Sequence, residues 1–400
     1  MIARAPYLLL LLIMVPDLYL DMHYWRHKFP LARRIIYWLP SIILVAYTLK
    51  LTYEPEFIPD NPNKIYIYLL LLGLISIPKF AFMLCSIIGL WMSKLVMLFK
   101  NHKHSKPKNY GNLVGIIATI LIWYVVLYGA FVGFQKLEIN HQTYSSPELP
   151  KAFDGYKIVL FSDAHVGTMK GDRQWMLKRA VDAMNQEHAD LIVFTGDLQN
   201  VKPKDIYEHT ELLGSLSAKD GVYSILGNHD YDKYMHPVAE RRVQQCKETI
   251  ALEKRMGWNL LLNEHRTIRR GNSQITIAGV EDNCSNKGYP ERIDIKKALK
   301  GTNGFVLMLA HDPGVWRGTI IPDGRAQLTL SGHTHNMQFS LFDWSPMSAL
   351  GKEINGWYKE GNQSLFVTSG LGALIPWRFG ATGEIVVLEL RSLSLALNIF

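Results

Sequence analysis

Five short apolar runs in the C-terminal two thirds of this chain each end in side chains that can bind metal. KIVLF (157–161) leads into Ser162-Asp163-Ala164-His165, and LIVFT (191–195) into Gly196-Asp197. VYSIL (222–226) is followed by Gly227-Asn228-His229-Asp230, FVLMLA (305–310) by His311-Asp312-Pro313, and LTLS (328–331) by Gly332-His333-Thr334-His335. The donors are carboxylate oxygen, imidazole nitrogen and one amide oxygen. That mixture suits Mn²⁺, Zn²⁺ or Fe²⁺ better than the all-oxygen shells of Ca²⁺ or the sulfur sites of soft metals. A glycine beside several of them permits a tight turn. Ligands at the carboxyl ends of successive strands converge on one sheet edge, where α/β sites form. A carboxylate shared by two ions about 3.5–4 Å apart clamps a phosphoryl group for in-line attack. Each His or Asp alone would be read as packing; together at strand ends they have no packing reason to coincide.

The elements that must position these residues alternate. Arg173–Gln186, Asp205–Leu216, Pro237–Met256 and Ile293–Leu299 read as helices, with further strands at Gln274–Val280, Leu365–Thr368 and Ile385–Leu390. This order implies an α/β layered fold with helices outside the sheets.

In this order, D-x-H, G-D, G-N-H-D, a lone His and G-H-x-H resemble the calcineurin-like metallophosphoesterase superfamily over roughly residues 150–390. Apolar stretches ahead of that region, and the tail Val367-Thr-Ser-Gly-Leu-Gly…Pro376-Trp377-Arg378…Glu384-Ile385, are similar to its bacterial transmembrane branch. The resemblance implies a layered β-sandwich flanked by helices, in four αββα layers, and two divalent ions. Asp163, His165 and His335 would hold the first ion; Asn228, His311 and His333 would hold the second; Asp197 would bridge them. A metal-bound hydroxide would attack phosphorus, while His229 protonates the leaving oxygen and Asp230 orients His229. Two departures stand out. Asn200 occupies the place of the metal-binding tyrosine of purple acid phosphatases, so their colour and redox behaviour are not expected. Asn336-Met337-Gln338 replaces Gly-Gly-Gln, which alters the shape of the substrate pocket.

The other polar candidates read more plainly. Asp312 is a turn residue before Pro313. His188, His209, His236 and His265 are expected to be solvated, and Arg378 is either a phosphate ligand or a surface arginine. Cys246 and Cys284 are as plausible as free thiols as they are as a disulfide, and no C-x-x-C marks a thiolate zinc site.

Charge divides the chain at about residue 135. Residues 1–135 hold 13 basic and 5 acidic side chains, and residues 136–400 hold 30 of each. The neutral second region argues against nucleic acid as a partner. The first region has four apolar stretches to compare with the roughly 20 residues a helix needs to cross a bilayer. They are Tyr7–Leu20, Ile35–Leu51, Ile65–Phe99 (interrupted at Pro78-Lys79, hence a kinked helix or two re-entrant pieces) and Leu113–Phe134. Residues 1–135 are therefore read as a transmembrane region and 136–400 as the catalytic domain. Arg26, Lys28, Arg33 and Arg34 crowd the first loop and Lys100, Lys103, Lys106 and Lys108 the third, whereas the second carries Glu54, Glu56 and Asp60. Positive loops stay in the cytoplasm, so the domain is expected outside the cell (inner) membrane. His23, His27, His102 and His104 lie among these lysines and arginines as interfacial residues.

A bilayer partner favours a phosphorylated lipid or nucleotide-lipid substrate. Hydrolases of UDP-2,3-diacylglucosamine carry similar motifs, but their substrate is made on the cytoplasmic side, so envelope turnover fits an outward site better. A non-catalytic binding module would be expected to have lost ligands, and this set is intact. Asp17, Lys79 and Lys94 are poor material for a conduction path. Alkaline phosphatase fused behind residue 400 in a bacterial host should be active in intact cells, and green fluorescent protein fused there should stay dark. The reverse pattern would place the domain in the cytoplasm.

Overall fold

The structure is a computed structural model that describes residues 5–53, 62–99, 108–231, 239–282, 292–342, 344–351 and 353–393. The acidic loop at 54–60, Lys100, His102, Lys103, His104, Lys106, His236 and Cys284 lie outside them. The chain forms two units, Met1–Val132 and Gly133–Phe400.

The first unit is helical. Helix α1 (Ala5–Leu20) runs on through a π turn at Asp21–Trp25, and α2 spans Leu31–Tyr53. The long third stretch is one helix: α3 (Pro62–Leu71) passes through a π turn at Leu72–Ser76 into α4 (Ile77–Phe99). Helix α5 covers Gly111–Phe131. Pro78 explains the π turn. Its ring cannot sit against the carbonyl four residues back, so the helix widens there. The Leu74 carbonyl freed by this widening accepts the Trp123 indole N–H at 2.8 Å. Small residues let α4 and α5 touch, since a Cβ on Gly111 would lie 2.0 Å from the Cys85 carbonyl oxygen. The fully buried Asp17 accepts from Tyr37 and from Lys79 at 2.6 Å each, tying α1, α2 and α4 together.

The second unit stacks two six-stranded sheets. The first has the order β1 (Leu137–Ser146), β12 (Gly383–Ser392), β2 (Tyr156–Phe161), β3 (Leu191–Phe194), β4 (Val222–Ser224), β5 (Asn259–Leu260). The second runs β10 (Gly356–Glu360), β11 (Gln363–Val367), β9 (Leu328–Ser331), β8 (Val306–Leu309), β7 (Ser273–Gly279), β6 (Glu264–Arg270). Strands β2 to β5 are mutually parallel, as are β7, β8, β9 and β11, while β12 is antiparallel to β2.

Period-two alternation builds the layers. In β2, Ile158 and Leu160 join Ile275, Leu307, Leu328 and Phe366 in a cluster between the sheets. Val159 and Phe161 point the other way, onto Met176, Leu177 and Ala180 of α6 (Gln174–Gln186), Leu213 of α7 (Thr210–Gly214) and Leu252 of α8 (Ala239–Arg255). Outside the second sheet Trp316, Ile320 and Leu299 cover Val306 and Met308. The four layers are those the sequence implied. One helix is shorter than expected: Asp205–Leu216 breaks into 3₁₀ turns at Pro203–Asp205 and Tyr207–His209 before α7. Those turns dock Ile206 and Leu213 in the core and carry His209 in with them, fully buried rather than solvated.

The Asp17–Lys79 pair gives a stability test. Lys79→Leu leaves a buried carboxylate unpaired and should cost about 3–5 kcal/mol, whereas Asp17→Leu with Lys79→Leu should recover most of it. Thermal melting of the detergent-solubilised chain would check both, and an unchanged melting temperature in the single variant would refute the role.

Candidate metal centre

Both sheets deliver donors to one cleft. Asp163 and His165 follow β2, Asp197 follows β3, and Asn228 follows β4 by three residues. His311 follows β8, and His333 and His335 follow β9. Sharp exits from these strands demand unusual backbone. Asp163 (φ +49), His165 (+41), Asp197 (+63), His333 (+72) and His335 (+51) all occupy the left-handed region. Each such non-glycine residue costs on the order of 1 kcal/mol, a strain that concentrates at functional sites. Two glycines make the closest approaches possible. A Cβ on Gly332 would lie 2.2 Å from Asp163 Oδ2, and one on Gly227 would lie 2.2 Å from Asp197 Oδ1.

Distances sort the donors into two groups sharing one carboxylate. His335 Nε2 lies 3.3 Å from Asp163 Oδ1 and 3.0 Å from His165 Nε2. His311 Nε2 lies 3.2 Å from both Asn228 Oδ1 and His333 Nδ1. Asp197 Oδ2 stands between the groups, 3.2 Å from His311 Nε2 and 3.8 Å from His165 Nε2. Each carboxylate spends one oxygen on the backbone and turns the other inward. Asp163 Oδ2 accepts the His333 N–H and Asp197 Oδ1 the His229 N–H, both at 2.8 Å. His165 and His311 donate from Nδ1 to the carbonyls of Gln199 (3.1 Å) and Thr195 (2.8 Å), which aims each Nε2 at the cleft.

Divalent ions fit this arrangement. Asp163 Oδ1 is buried without a hydrogen-bond partner, and the ring nitrogens that converge at 3.0 and 3.2 Å can share a proton or take a cation between them. Burial pushes His165 and His335 well below the ordinary imidazole pKa, so they present lone pairs. Burial opposes ionisation of Asp197, but His311 and His229 hold its carboxyl well below the usual range. His311 answers in the opposite sense: burial lowers it, yet the Asp197 carboxylate carries it well above the ordinary value.

The surrounding residues correct two expectations. Asp230 does not orient the His229 ring. Its carboxylate accepts four backbone N–H groups, those of Gly227, Asp197, Leu198 and Gln199, at 2.8–3.2 Å, and so braces the loop that carries Asp197. Burial and the Asp197 charge push its carboxyl up to about 7. The His229 ring is held instead by the Asn200 carbonyl, 2.6 Å from Nδ1. Arg378 is neither a surface arginine nor open to a phosphate. It is buried and donates to the carbonyls of Ser369, Gly370, Gly372, Ala381 and Thr382, with Nη2 3.4 Å from His335 Nδ1. Burial lowers its pKa to about 10. His229 also stands close enough to His165 and Asp197 to serve as a ligand. Asn336 (φ +47), Met337 (+55) and Gln338 (+56) continue the left-handed backbone, a conformation that glycine adopts without strain and these side chains do not. Met337 and Leu374 line the resulting cleft, about 230 Å³, with Asp197, Asn228, His229 and His333.

Residues 156–337 match the family described as calcineurin-like phosphoesterase, and residues 3–134 match the one described as probable calcineurin-like phosphoesterase, transmembrane domain. The uncharacterized metallophosphoesterase YkuE of Bacillus subtilis is 32% identical over 281 residues, covering 66% of this chain and 89% of that protein. This chain belongs to the calcineurin-like phosphoesterase family. A Danio rerio transmembrane protein with metallophosphoesterase domain is 29% identical over 69% of this chain, which spans 62% of that relative's length. Among solved structures, the phosphopantetheinyl hydrolase of Mycobacterium tuberculosis aligns at TM-score 0.34 and 12% identity over 56% of this chain and 91% of that one.

Within the family's domain, Gln199, Asn200 and Arg378 are the supporting residues that motif reading missed or misplaced. Their only sequence signal is closeness to Asp197 and to a glycine-rich tail.

The raised His311 carries a pH consequence. A group protonated in the metal-free site near neutrality must lose its proton to bind metal, so apparent affinity should rise with pH through that range. Calorimetry in buffers of different ionisation enthalpy should show proton release on metal uptake; no release would contradict the raised pKa.

Proposed function

We propose that the domain hydrolyses a phosphoester or pyrophosphate bond in a lipid-linked or cell-envelope substrate, using two divalent ions (Mn, Zn or Fe). The observation that carries this reading is Asp197 Oδ2, poised between imidazoles of two separate donor groups. Asp163, His165 and His335 would hold one ion, Asn228, His311 and His333 the other, and Asp197 both. When bound, such ions supply a nucleophilic water at neutral pH and a positive clamp on phosphoryl oxygens.

The chain's own residues supply the rest. His229 keeps its Nδ1 proton on the Asn200 carbonyl, which fixes the ring's tautomer and direction. Burial lowers its pKa, so it rests neutral. An entering phosphoester, being anionic, would raise it again and let Nε2 carry a proton to the leaving oxygen. Asp230 keeps the Asp197 loop rigid during that transfer. Among the described residues four helices are long and apolar enough to cross a bilayer, which supports an amphiphilic substrate, and the loop charges support an extracytoplasmic site.

The test uses the detergent-solubilised chain, stripped of metal and resupplied with Mn²⁺, Zn²⁺ or Fe²⁺, on p-nitrophenyl phosphate and bis(p-nitrophenyl) phosphate. Asp197→Ala should lose about 10³-fold or more with its metal. His229→Ala should lose about 10²–10⁴-fold in kcat while retaining metal. Turnover without metal, or unaffected by Asp197→Ala, would sink the mechanism.

A further inference from the structure

The loop that takes Asn336, Met337 and Gln338 through the left-handed region continues into a tight turn, where Leu341 and Trp344 exchange backbone hydrogen bonds of 2.9 and 3.1 Å. Phe342 lies within that turn at φ +51 and is 94% exposed; Trp344 is 52% and Leu341 47% exposed. The base of the turn is firmly held. The Ser340 N–H donates to the Phe379 carbonyl at 2.8 Å, and the Phe339 ring stacks on those of Phe379 and Trp377 at 5.7 and 6.4 Å. Earlier in the same loop Met337 opens onto the metal cleft, opposite Leu374, and both are exposed. The mouth of the site is thus continuous in sequence with three exposed apolar side chains, Leu341, Phe342 and Trp344, with Asp343 between the last two in sequence.

An aromatic side chain shown to water from a left-handed residue is unfavourable twice over, by backbone strain and by uncovered apolar area. Exposed apolar clusters of this kind mark surfaces that another phase or partner covers. Connectivity selects the cover. Helix α5 ends at Phe131 and β1 begins at Leu137, so a bilayer always lies within reach of this domain at high effective concentration. Trp, Phe and Leu at a turn tip are side chains that settle at the boundary of head groups and acyl chains.

We propose that Leu341, Phe342 and Trp344 insert into the bilayer interface beside the cleft. Met337 and Leu374 then meet the apolar part of a lipid whose phosphoester enters the metal centre. The substrate half of this inference rests on the hydrolase reading above; the membrane contact does not.

The experiment uses the full chain with Cys85, Cys246 and Cys284 replaced by alanine. It carries a nitrobenzoxadiazole label at Phe342→Cys, or at Lys178→Cys on the exposed face of α6 as control. In vesicles of phosphatidylcholine and phosphatidylglycerol, shallow doxyl-lipid should quench the label at 342 about twofold or more and the control far less. No quenching at 342, or equal quenching at both sites, overturns the proposal. In parallel, Phe342→Ser with Trp344→Ser should cut turnover of vesicle-borne dioleoyl phosphatidic acid about tenfold, the loss expected for unburying one or two large side chains. Turnover of p-nitrophenyl phosphate should be unchanged, and an equal loss on both substrates would overturn the interfacial role. A parent chain inert on both substrates, yet quenched at 342, would refute the hydrolase reading and leave the membrane contact supported.

Discussion

Two buried carboxylates and a set of imidazoles pointing their nitrogens at one another make an arrangement that a shared proton or a cation holds together. Imidazole lone pairs 3.0 and 3.2 Å apart repel unless a cation or proton lies between them. The rest of the domain is organised to keep that arrangement assembled. Left-handed backbone at five donors turns side chains back across the strand ends, and Gly227 and Gly332 let neighbouring loops approach closely enough to cap the inner carboxylates. The strain is offset by the core behind it, where Ile158, Leu160, Leu307, Leu309 and Leu330 are fully buried.

Asp163, His165, Asp197 and Asn228 come from one sheet and His311, His333 and His335 from the other, so each donor group is assembled across both sheets and its internal geometry is a property of how the sheets pack. A change deep between the sheets would be felt inside both donor groups at once. Asp230 and Arg378 act on the same principle at shorter range. Each is buried and satisfied almost wholly by backbone, one accepting from four N–H groups, the other donating to five carbonyls, so each fixes the course of a loop rather than a single partner.

Sequence reading succeeded where a residue's task is set locally. Strands β2, β3, β4, β8 and β9 are apolar runs bounded by glycine or polar punctuation, and the turns that follow them bring the seven donors together. It failed where the task is set by a distant partner. Strand β1 carries Glu138, Asn140 and Gln142, and β6 reads EHRTIRR; neither looks like a strand until β12 and β7 are beside it. His209 and Arg378 are polar residues with no sequence mark of burial. Asp230, adjacent to His229 in sequence, points away from its ring, because a strand-end turn separates neighbours that linear proximity joins.

The pairing of β1 with β12 has a consequence for how the protein is made. The strand that follows the membrane helices finds its parallel neighbour only at residues 383–392, register Leu137 against Gly383, and β12 is also what separates β1 from β2. A nascent chain that has inserted its helices therefore cannot complete its first sheet until nearly all of the domain has been synthesised. Until then Ile158 and Leu160 of β2 lack the neighbours that Leu388 and Val386 will supply, and the edge of β2 lies open to wrong pairing. Biogenesis of this protein thus separates into an early membrane step and a late, all-at-once closure. The candidate donors that follow β2 and β3 stand on that same sheet, so their frame is complete only when β12 has paired.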